Sequence, residues 1–388
     1  MPHCKICGEW NCKKHTALIG RAAPLQEFSG SSPPEIFVGR WNYPNVYTGI
    51  LSPDEHGNTE EMSSAEIWHK QRFPIPHIMS LRNKLIYGRI QTNVKRAPTD
   101  KKFLSVMQEI AMSSKSVSAE YKLKKPVSRN PEQDLKVPLM PKAAPIEKVR
   151  LQENVQVNKK VDYLVSDNEV KSTTALVELE KSNITTSSLI KLLTAGLLGL
   201  KRNRRLVPTR WAITAVDDTI SKEKLKSIRL FPEVKEISVF HSEYLGNYYE
   251  FLVLPSKWEF EVIEISLKTF GAWHDYETFF PRKKYAESVT GAYYANRLAL
   301  TEYLERIKRQ GACIVFREVR PEYYAPLGVG ILRQISRDAF ASQPKIFNTI
   351  KEALADIQSR LKQPVTNYTE KSFILKNYGK QRKISEYF

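Results

Sequence analysis

The second half of the chain alternates apolar and polar residues with the period of a β-strand. The alternation covers ISVFHSEY (237–244), YYEFLVL (248–254) and WEFEVIEIS (258–266), and Leu245-Gly246-Asn247 forms a tight connection between the first two. Period-two alternation places every second side chain on one face of a sheet, so these segments predict a β-meander. Further strands are predicted at 35–39, 117–124, 210–217 and 313–320.

Other stretches space their apolar residues three and four positions apart, which predicts helices. These stretches are 63–73, 77–88, 100–112, 166–182, 185–200, 287–310 and 344–363. Ser, Thr or Asp stands at the start of several of them as a candidate cap, and Gly311 follows the longest. Strands grouped together, with helices before and after them, indicate the α+β class.

The length of 388 residues predicts two domains with appendages, because one compact core rarely serves so long a chain. Between about 113 and 165, five prolines punctuate a lysine-rich stretch that lacks glycine, so we interpret it as an extended crossover carrying one strand. The predicted organisation is a zinc-binding module (1–20), an N-terminal domain that includes the crossover (21–165), an α+β domain (166–363) and a flexible tail (364–388).

Charge adds a functional expectation. The chain holds 60 basic and 42 acidic residues, a net charge of +18, and such a positive field concentrates polyanions. Nucleic acid, anionic lipid and nucleotides are all polyanions of this kind. No apolar run in the sequence approaches the roughly 20 residues that span a bilayer. With no secretory signal visible, we expect a cytoplasmic protein that does not enter membranes, in which paired cysteines are metal ligands rather than disulfides.

Three of the four cysteines lie in CKICGEWNCKKH near the N-terminus. Cys4 and Cys7 have C-x2-C spacing, and Cys12 and His15 repeat it as C-x2-H. Two close pairs of sulfur and nitrogen ligands suit a tetrahedral structural Zn²⁺ with no open position. His3 is an alternative fourth ligand.

The densest positive charge is KRNRRLVPTR, which follows an apolar helix. Its basic residues are Lys201, Arg202, Arg204, Arg205 and Arg210. Cations at a helix C-terminus complement the helix dipole, but five exceed what capping needs. We therefore interpret the block as phosphate-binding, since the planar guanidinium matches phosphate oxygens in two-point contacts.

A second candidate surface surrounds Arg40, which stands among Trp41, Tyr43 and Tyr47. Arginine interleaved with aromatic residues is typical of surfaces that contact phosphate and stack on bases. Aromatic packing beneath a loop explains the same pattern equally well.

Two adjacent acidic residues indicate an alternative, enzymatic function. Asp217 and Asp218 close the predicted strand 210–217, where adjacent carboxylates can hold Mg²⁺ or Mn²⁺ or can cap the next helix. The weaker pairs His241–Glu243 and His274–Asp275 add no recognisable catalytic motif. The alternative function is thus a nucleotide or DNA-phosphate processing enzyme, a metal-assisted hydrolase with both aspartates in its site.

The chain ends in QRKISEYF. Ile384, Tyr387 and Phe388 would share one face of a single helical turn, and no residue follows them to cover that face. The stripe therefore either packs on the core of this protein or docks on another protein.

Four segments together resemble the archaeal NreA family of DNA repair proteins. They are the paired metal ligands at the N-terminus, FSGSSPPEIFVGR (28–40), GLLGLKRNRRLVPTRWAITAVDDTIS (196–221) and the final QRKISEYF. The resemblance covers nearly the whole chain. It implies participation in the repair of DNA damage and an N-terminal zinc finger.

The resemblance also implies docking on the sliding clamp PCNA through the C-terminal peptide. The family's clamp motif is Q-x-x-aliphatic-x-x-aromatic-aromatic, and the chain matches each defined position. The matching residues are Gln381, Ile384, Tyr387 and Phe388. The family's metal site usually has four cysteines, whereas His15 takes the fourth place here.

Overall fold

A computed structural model of the chain describes residues 25–97, 102–127 and 143–380. Over these residues the chain forms two six-stranded, largely antiparallel sheets, and helices lie between and after their strands in sequence. The α+β class is therefore confirmed. No helix in this described part has both the length and the apolarity needed to cross a bilayer.

The chain divides into two compact units. Unit 1 comprises Met1–Ile220 and Tyr324–Ile331, and unit 2 comprises Ser221–Tyr323 and Leu332–Phe388. The division falls at residue 220 rather than at the predicted residue 165, because the helices after 165 pack with the first sheet. A short return segment of the chain completes unit 1, a feature that no local pattern reveals.

The sheet of unit 1 is mixed. Its strands are β1 Leu25–Ser32, β2 Ile36–Val38, β3 Asn45–Ser52, β4 Ile86–Asn93, β5 Val117–Val127 and β6 Ala143–Leu151. Their spatial order is β1-β5-β6-β4-β3-β2, and only the β4–β6 pair is parallel. The lysine-rich crossover thus carries two strands rather than one.

Helices and short turns complete unit 1. They are α1 Ala65–Lys70, α2 Ile75–Asn83, α3 Lys102–Met112, α4 Lys159–Ser166, α5 Ser172–Lys181, α6 Thr186–Thr194 and the beginning of α7 Thr209–Ile228. Ser64 and Thr185 cap α1 and α6 through their side-chain oxygens, as the sequence predicts. Along β3, Val46, Thr48 and Ile50 are buried while Asn45 and Tyr47 face outward. One face of the β3–β4 pair therefore remains available at the surface of unit 1.

The predicted strand 210–217 is wrong. These residues lie within α7, a continuous helix of 20 residues. Ile213, Val216 and Ile220 are buried, with the three- and four-residue spacing of one helical face. Tertiary burial of that face outweighs the strand preference of the β-branched residues Ile213, Thr214 and Val216.

Unit 2 contains the second sheet. Its strands are β7 Ile237–Tyr244, β8 Asn247–Leu254, β9 Glu259–Ser266, β10 Ala272–Glu277, β11 Ala312–Val319 and β12 Lys345–Phe347. The order is β10-β9-β11-β8-β7-β12. The predicted meander holds for β7 and β8, but β11 lies between β8 and β9 and runs parallel to β9. This insertion gives β11 a neighbouring strand on each edge, and seven of its eight residues are buried.

Two helices of unit 2 lie in segments that the sequence predicts to be helical, 287–310 and 344–363, and the sequence does not predict the others. In chain order the helices are α8 Gly291–Ile307, α9 Val329–Ala341, whose first residues belong to unit 1, α10 Ile350–Gln358, α11 Thr366–Thr369 and α12 Phe373–Asn377. The last two lie in the segment predicted to be a flexible tail. Tyr368 and Ile374 of that segment are buried in the core beside β9 and β11, so the chain is folded at least to residue 380.

Candidate nucleic-acid interface

Two sets of predicted site residues lie outside the residues that the structure describes. They are the metal ligands Cys4, Cys7, Cys12 and His15, and the clamp residues Gln381, Ile384, Tyr387 and Phe388. The zinc site and the clamp motif accordingly stay predictions. The basic block, Arg40 and the two aspartates all lie within the described part.

The basic block begins as a short 3-10 turn, Lys201–Asn203, on the surface of unit 1. The side chains of Lys201, Arg202 and Arg205 are exposed, and Arg210 is partly buried. With three cations turned to solvent within five residues, the block is accessible to a polyanion.

Arg204 has a different role from its neighbours. Its Nε donates to the Gly199 carbonyl (2.8 Å) and its Nη2 donates to the Asp167 carbonyl (2.7 Å). Burial lowers the pKa of the Arg204 guanidinium, and the nearby Asp167 partly opposes that shift. Arg204 therefore fastens the block to the loop before α5, since one of its donors binds the carbonyl of Asp167, the residue that caps the C-terminus of α4.

Backbone hydrogen bonds join the block to a second basic turn. The Leu206 amide donates to the Val94 carbonyl (2.9 Å), and the Val94 amide donates to the Pro44 carbonyl (2.9 Å). Lys95 and Arg96, next along the chain, are both exposed. This turn thus lies between the basic block and the loop that joins β2 to β3.

The β2–β3 loop carries the predicted aromatic residues around Arg40. The Arg40 guanidinium carbon lies 4.6 Å from the centre of the Trp41 ring, and that of Arg89 on β4 lies 4.0 Å from the Tyr47 ring. Both distances are within the range of cation–π contacts. Trp41 and Tyr47 are exposed, so packing beneath the loop does not explain them.

The first turn of α7 completes this surface. The Thr209 hydroxyl accepts a hydrogen bond from the Val38 amide (2.9 Å), which holds the start of α7 against the end of β2. The Trp211 ring centre then lies 5.2 Å from that of Tyr43. Sequence reasoning missed Trp211, Arg89, Lys95 and Arg96, because each is far along the chain from Arg40.

The two aspartates do not form a paired site. Asp217 and Asp218 are consecutive residues in α7, and Asp217 is fully buried while Asp218 is partly exposed. Consecutive helical side chains point about 100° apart. No cluster of three His, Cys, Asp or Glu side chains suited to a metal ion occurs in the described ranges. The hydrolase alternative stays a prediction that this geometry does not support.

The two histidine pairs are placed differently from the sequence prediction. The His241 Nδ1 lies 2.7 Å from a buried Glu250 oxygen, and Glu250 also pairs with Arg360. The His274 Nε2 lies 2.6 Å from a Glu261 oxygen. In each pair the partner is a cross-strand glutamate rather than the near neighbour in sequence, and both pairs hold unit 2 together.

Glu261 accepts hydrogen bonds from three groups at the start of α12. Its buried carboxylate accepts from the Ser372 hydroxyl (2.5 Å) and from the Phe373 (2.6 Å) and Ile374 (3.2 Å) amides. Phe373 also stacks on Tyr276, with ring centres 4.2 Å apart. An anion at the first turn satisfies amide groups that lack partners within the helix, so Glu261 anchors α12 to β9.

These units define a two-domain α+β protein. Two family models cover it: "Archaeal Nre, N-terminal" matches residues 2–273 and "Archaeal Nre, C-terminal" matches residues 277–387. The chain therefore belongs to the archaeal Nre family, as the resemblance predicts. The junction of the two models falls within β10, whereas the compact units divide at residue 220. For the physical organisation we adopt the division at 220, because β9, β10 and β11 form one continuous sheet.

Curated relatives align with this chain over most of their own length. The chain is 32% identical to DNA repair protein NreB of Archaeoglobus fulgidus, over 98% of this chain and 97% of the relative. It is 33% identical to DNA repair protein NreA of the same organism, over 92% and 91%. It is 32% identical to DNA repair protein NreA of Haloferax volcanii, over 88% and 85%. No solved structure matches the chain significantly.

Proposed function

We propose that this protein is a cytoplasmic DNA repair protein that binds DNA through unit 1. The observation that carries the proposal is that backbone hydrogen bonds join three segments of unit 1 that carry basic residues, so their cations lie on neighbouring parts of its surface. These segments are the basic block, the Lys95–Arg96 turn and the β2–β3 loop. Relatives that align over nearly the whole chain are named as DNA repair proteins. Phosphate neutralisation by such a surface supplies most of the affinity for DNA of any sequence.

Within this surface the exposed cations contact phosphates. Lys201, Arg202 and Arg205 present charged ends to solvent, while Arg40 and Arg210 extend the positive surface toward the aromatic residues. Arg204 contributes by holding the block in place, since two of its donors already bind carbonyls.

Replacing Lys201, Arg202 and Arg205 together with Ala is expected to weaken binding to duplex DNA and to flatten its salt dependence. Each lost phosphate contact lowers the slope of log K against log salt by about 0.9, so three contacts give roughly 2.7. Fluorescence anisotropy at several salt concentrations measures this slope.

The matched control removes three exposed lysines from unit 2, Lys235, Lys351 and Lys371. It changes net charge equally and should leave the slope nearly intact. If the unit 1 variant has the same salt slope as the wild-type protein, the basic block serves folding rather than phosphate binding. If the unit 1 and unit 2 variants lose the same amount of DNA affinity, the effect comes from net charge alone.

The finer part of the proposal is recruitment by the sliding clamp PCNA. The motif residues Gln381, Ile384, Tyr387 and Phe388 directly follow a segment that Glu261 anchors to unit 2. Lys380 directly precedes the motif, and Arg382 and Lys383 occupy two of its undefined positions. All three would attract an acidic clamp surface. Clamp binding would bring the DNA-binding unit to newly replicated or damaged DNA.

The N-terminal module is proposed to hold one structural zinc through Cys4, Cys7, Cys12 and His15. Elemental analysis of protein purified without chelator should find zinc bound tightly to the chain. Cys7→Ser should remove it without lowering the melting temperature of the two main units, because so small a module derives its folding energy from the metal. Purified protein that is free of zinc would contradict this assignment.

A further inference from the structure

Unit 1 exposes a group of aromatic side chains that the proposed phosphate contacts do not use. We call Trp41, Tyr43, Tyr47 and Trp211 the aromatic platform. Their exposed fractions are 73%, 44%, 38% and 45%. Large aromatic side chains are normally buried, and exposed ones gathered in one place mark a binding surface.

The platform is built rather than accidental. The β2–β3 loop supplies Trp41 and Tyr43, β3 supplies Tyr47, and α7 supplies Trp211 from more than 160 positions away in sequence. The Val38–Thr209 hydrogen bond fixes the start of α7 to this loop, and the Tyr43 and Trp211 rings meet at an interplanar angle of 53°. These contacts hold the Tyr43 and Trp211 rings against each other before any ligand arrives.

Cations accompany the rings. Arg40 lies over Trp41 and Arg89 lies over Tyr47, so each of these rings has a guanidinium on one face. The neighbouring face of the β3–β4 pair adds the amide side chains of Asn45, Gln91 and Asn93, and the Asn93 amide donates to Asn45 Oδ1 (2.9 Å). A flat ring beside a guanidinium suits a base beside its phosphate, and the amides offer donors and acceptors to base edges.

We propose that the aromatic platform binds the unpaired bases of single-stranded DNA. This inference rests on the proposed function, in which the neighbouring basic block binds DNA phosphates. Duplex DNA keeps its base faces stacked inside the helix, so these rings have nothing to stack on there. A single strand exposes the faces of its bases to aromatic side chains.

The test measures binding of labelled dT20, rU20 and a 20-bp duplex to the full-length protein and to Trp41→Ala and Trp211→Ala variants. Alanine substitution of a base-stacking ring weakens single-strand binding by roughly 5- to 150-fold. Duplex binding should change less than about twofold, and the salt slope should stay as in the wild-type protein, because no phosphate contact is lost. Trp211→Phe retains a ring and should recover most of the affinity.

The matched control is Tyr163→Ala. Tyr163 is an exposed ring of unit 1 with its own cation, Lys160, 5.2 Å away, but it lies on α4 outside the platform. Its removal should leave dT20 binding unchanged. Tryptophan fluorescence supplies a second readout. Binding of dT20 should quench the fluorescence of the wild-type protein, and the double variant Trp41→Phe, Trp211→Phe should lack that quenching.

The outcomes separate this inference from the proposed function. Tryptophan variants that bind dT20 like the wild-type protein would overturn the inference, even if the basic-block variant still flattens the salt slope on duplex DNA. Loss of affinity in Tyr163→Ala equal to that in Trp211→Ala would also overturn it. Tighter binding of rU20 than of dT20 would overturn the assignment to DNA, and failure to bind any of the three would sink the proposed function as well.

Discussion

Removing residues 364–388 is expected to destabilise unit 2 severely, whereas removing residues 381–388 leaves its stability unchanged. The longer deletion takes away Tyr368 and Ile374, both fully buried in the core beside β9 and β11. It also removes the three donors that Ser372, Phe373 and Ile374 offer to the buried Glu261 carboxylate. The shorter deletion begins beyond all of these contacts.

The expected size follows from the buried groups. Truncating a buried aromatic or aliphatic residue costs about 2–5 kcal/mol, so two of them cost roughly 4–10 kcal/mol. At about 2–4 °C per kcal/mol for a unit of this size, the melting temperature of unit 2 falls by at least about 8 °C. Differential scanning calorimetry records the transition, and hydrogen exchange assigns it to unit 2.

A single substitution tests the anchor itself. Glu261→Gln keeps the size of the side chain but removes the charge that four donors share, and hydrogen bonds to a charged group contribute about 1.5–3 kcal/mol each. Glu370→Gln makes the same chemical change at an exposed position nearby and should have no effect. If both variants and the longer deletion have the same melting temperature as the wild-type protein, residues 364–380 do not belong to the core.

The second large effect is on clamp binding. Removing residues 381–388 is expected to abolish binding to the PCNA of the same organism while the melting temperature stays the same. Burial of Ile384, Tyr387 and Phe388 contributes roughly 4.5–9 kcal/mol gross at about 1.5–3 kcal/mol each. The entropy cost of ordering the peptide offsets part of this free energy, and attraction between the basic residues of the peptide and an acidic clamp surface adds to it. The expected net free energy of binding is about −8 kcal/mol, which corresponds to a micromolar dissociation constant. Isothermal titration calorimetry measures it.

Point variants separate the motif from its surroundings. Phe388→Ala should weaken clamp binding at least about tenfold, since one buried aromatic side chain contributes about 1.5–3 kcal/mol. Glu386→Ala, at a position that the motif leaves undefined, should bind like the wild-type protein. The rival arrangement packs the apolar stripe onto unit 2 itself. A large fall in melting temperature on removing 381–388, with clamp binding retained, would establish that rival.

The sequence pattern by itself predicts an element correctly where the spacing of its own apolar residues determines which face is buried. The alternation in 237–244 and 248–254 predicts β7 and β8, and the apolar spacing before Gly311 predicts α8. The α+β class follows from the grouping of these elements along the chain. The family resemblance likewise depends on contiguous segments, and matches over nearly the whole chain confirm it.

Local pattern failed where a distant partner decides the state of a segment. Residues 211–217 have the β-branched content of a strand, yet burial of one face makes them part of α7. The local pattern of residues 364–380 predicts a polar tail. The residue that fixes this segment is Glu261, whose carboxylate binds the start of α12, and it lies more than 100 positions earlier in the chain.

The candidate interface divides in the same way. The sequence by itself determined the basic block and the aromatic residues around Arg40, since each is a dense local cluster. Only the tertiary structure brought Trp211 against Tyr43, placed the Lys95–Arg96 turn between loop and block, and turned Arg204 inward. The physical reason is that these neighbours are joined by hydrogen bonds across the fold, from Val94 to Pro44 and Leu206 and from Val38 to Thr209, and no spacing along the chain encodes such contacts.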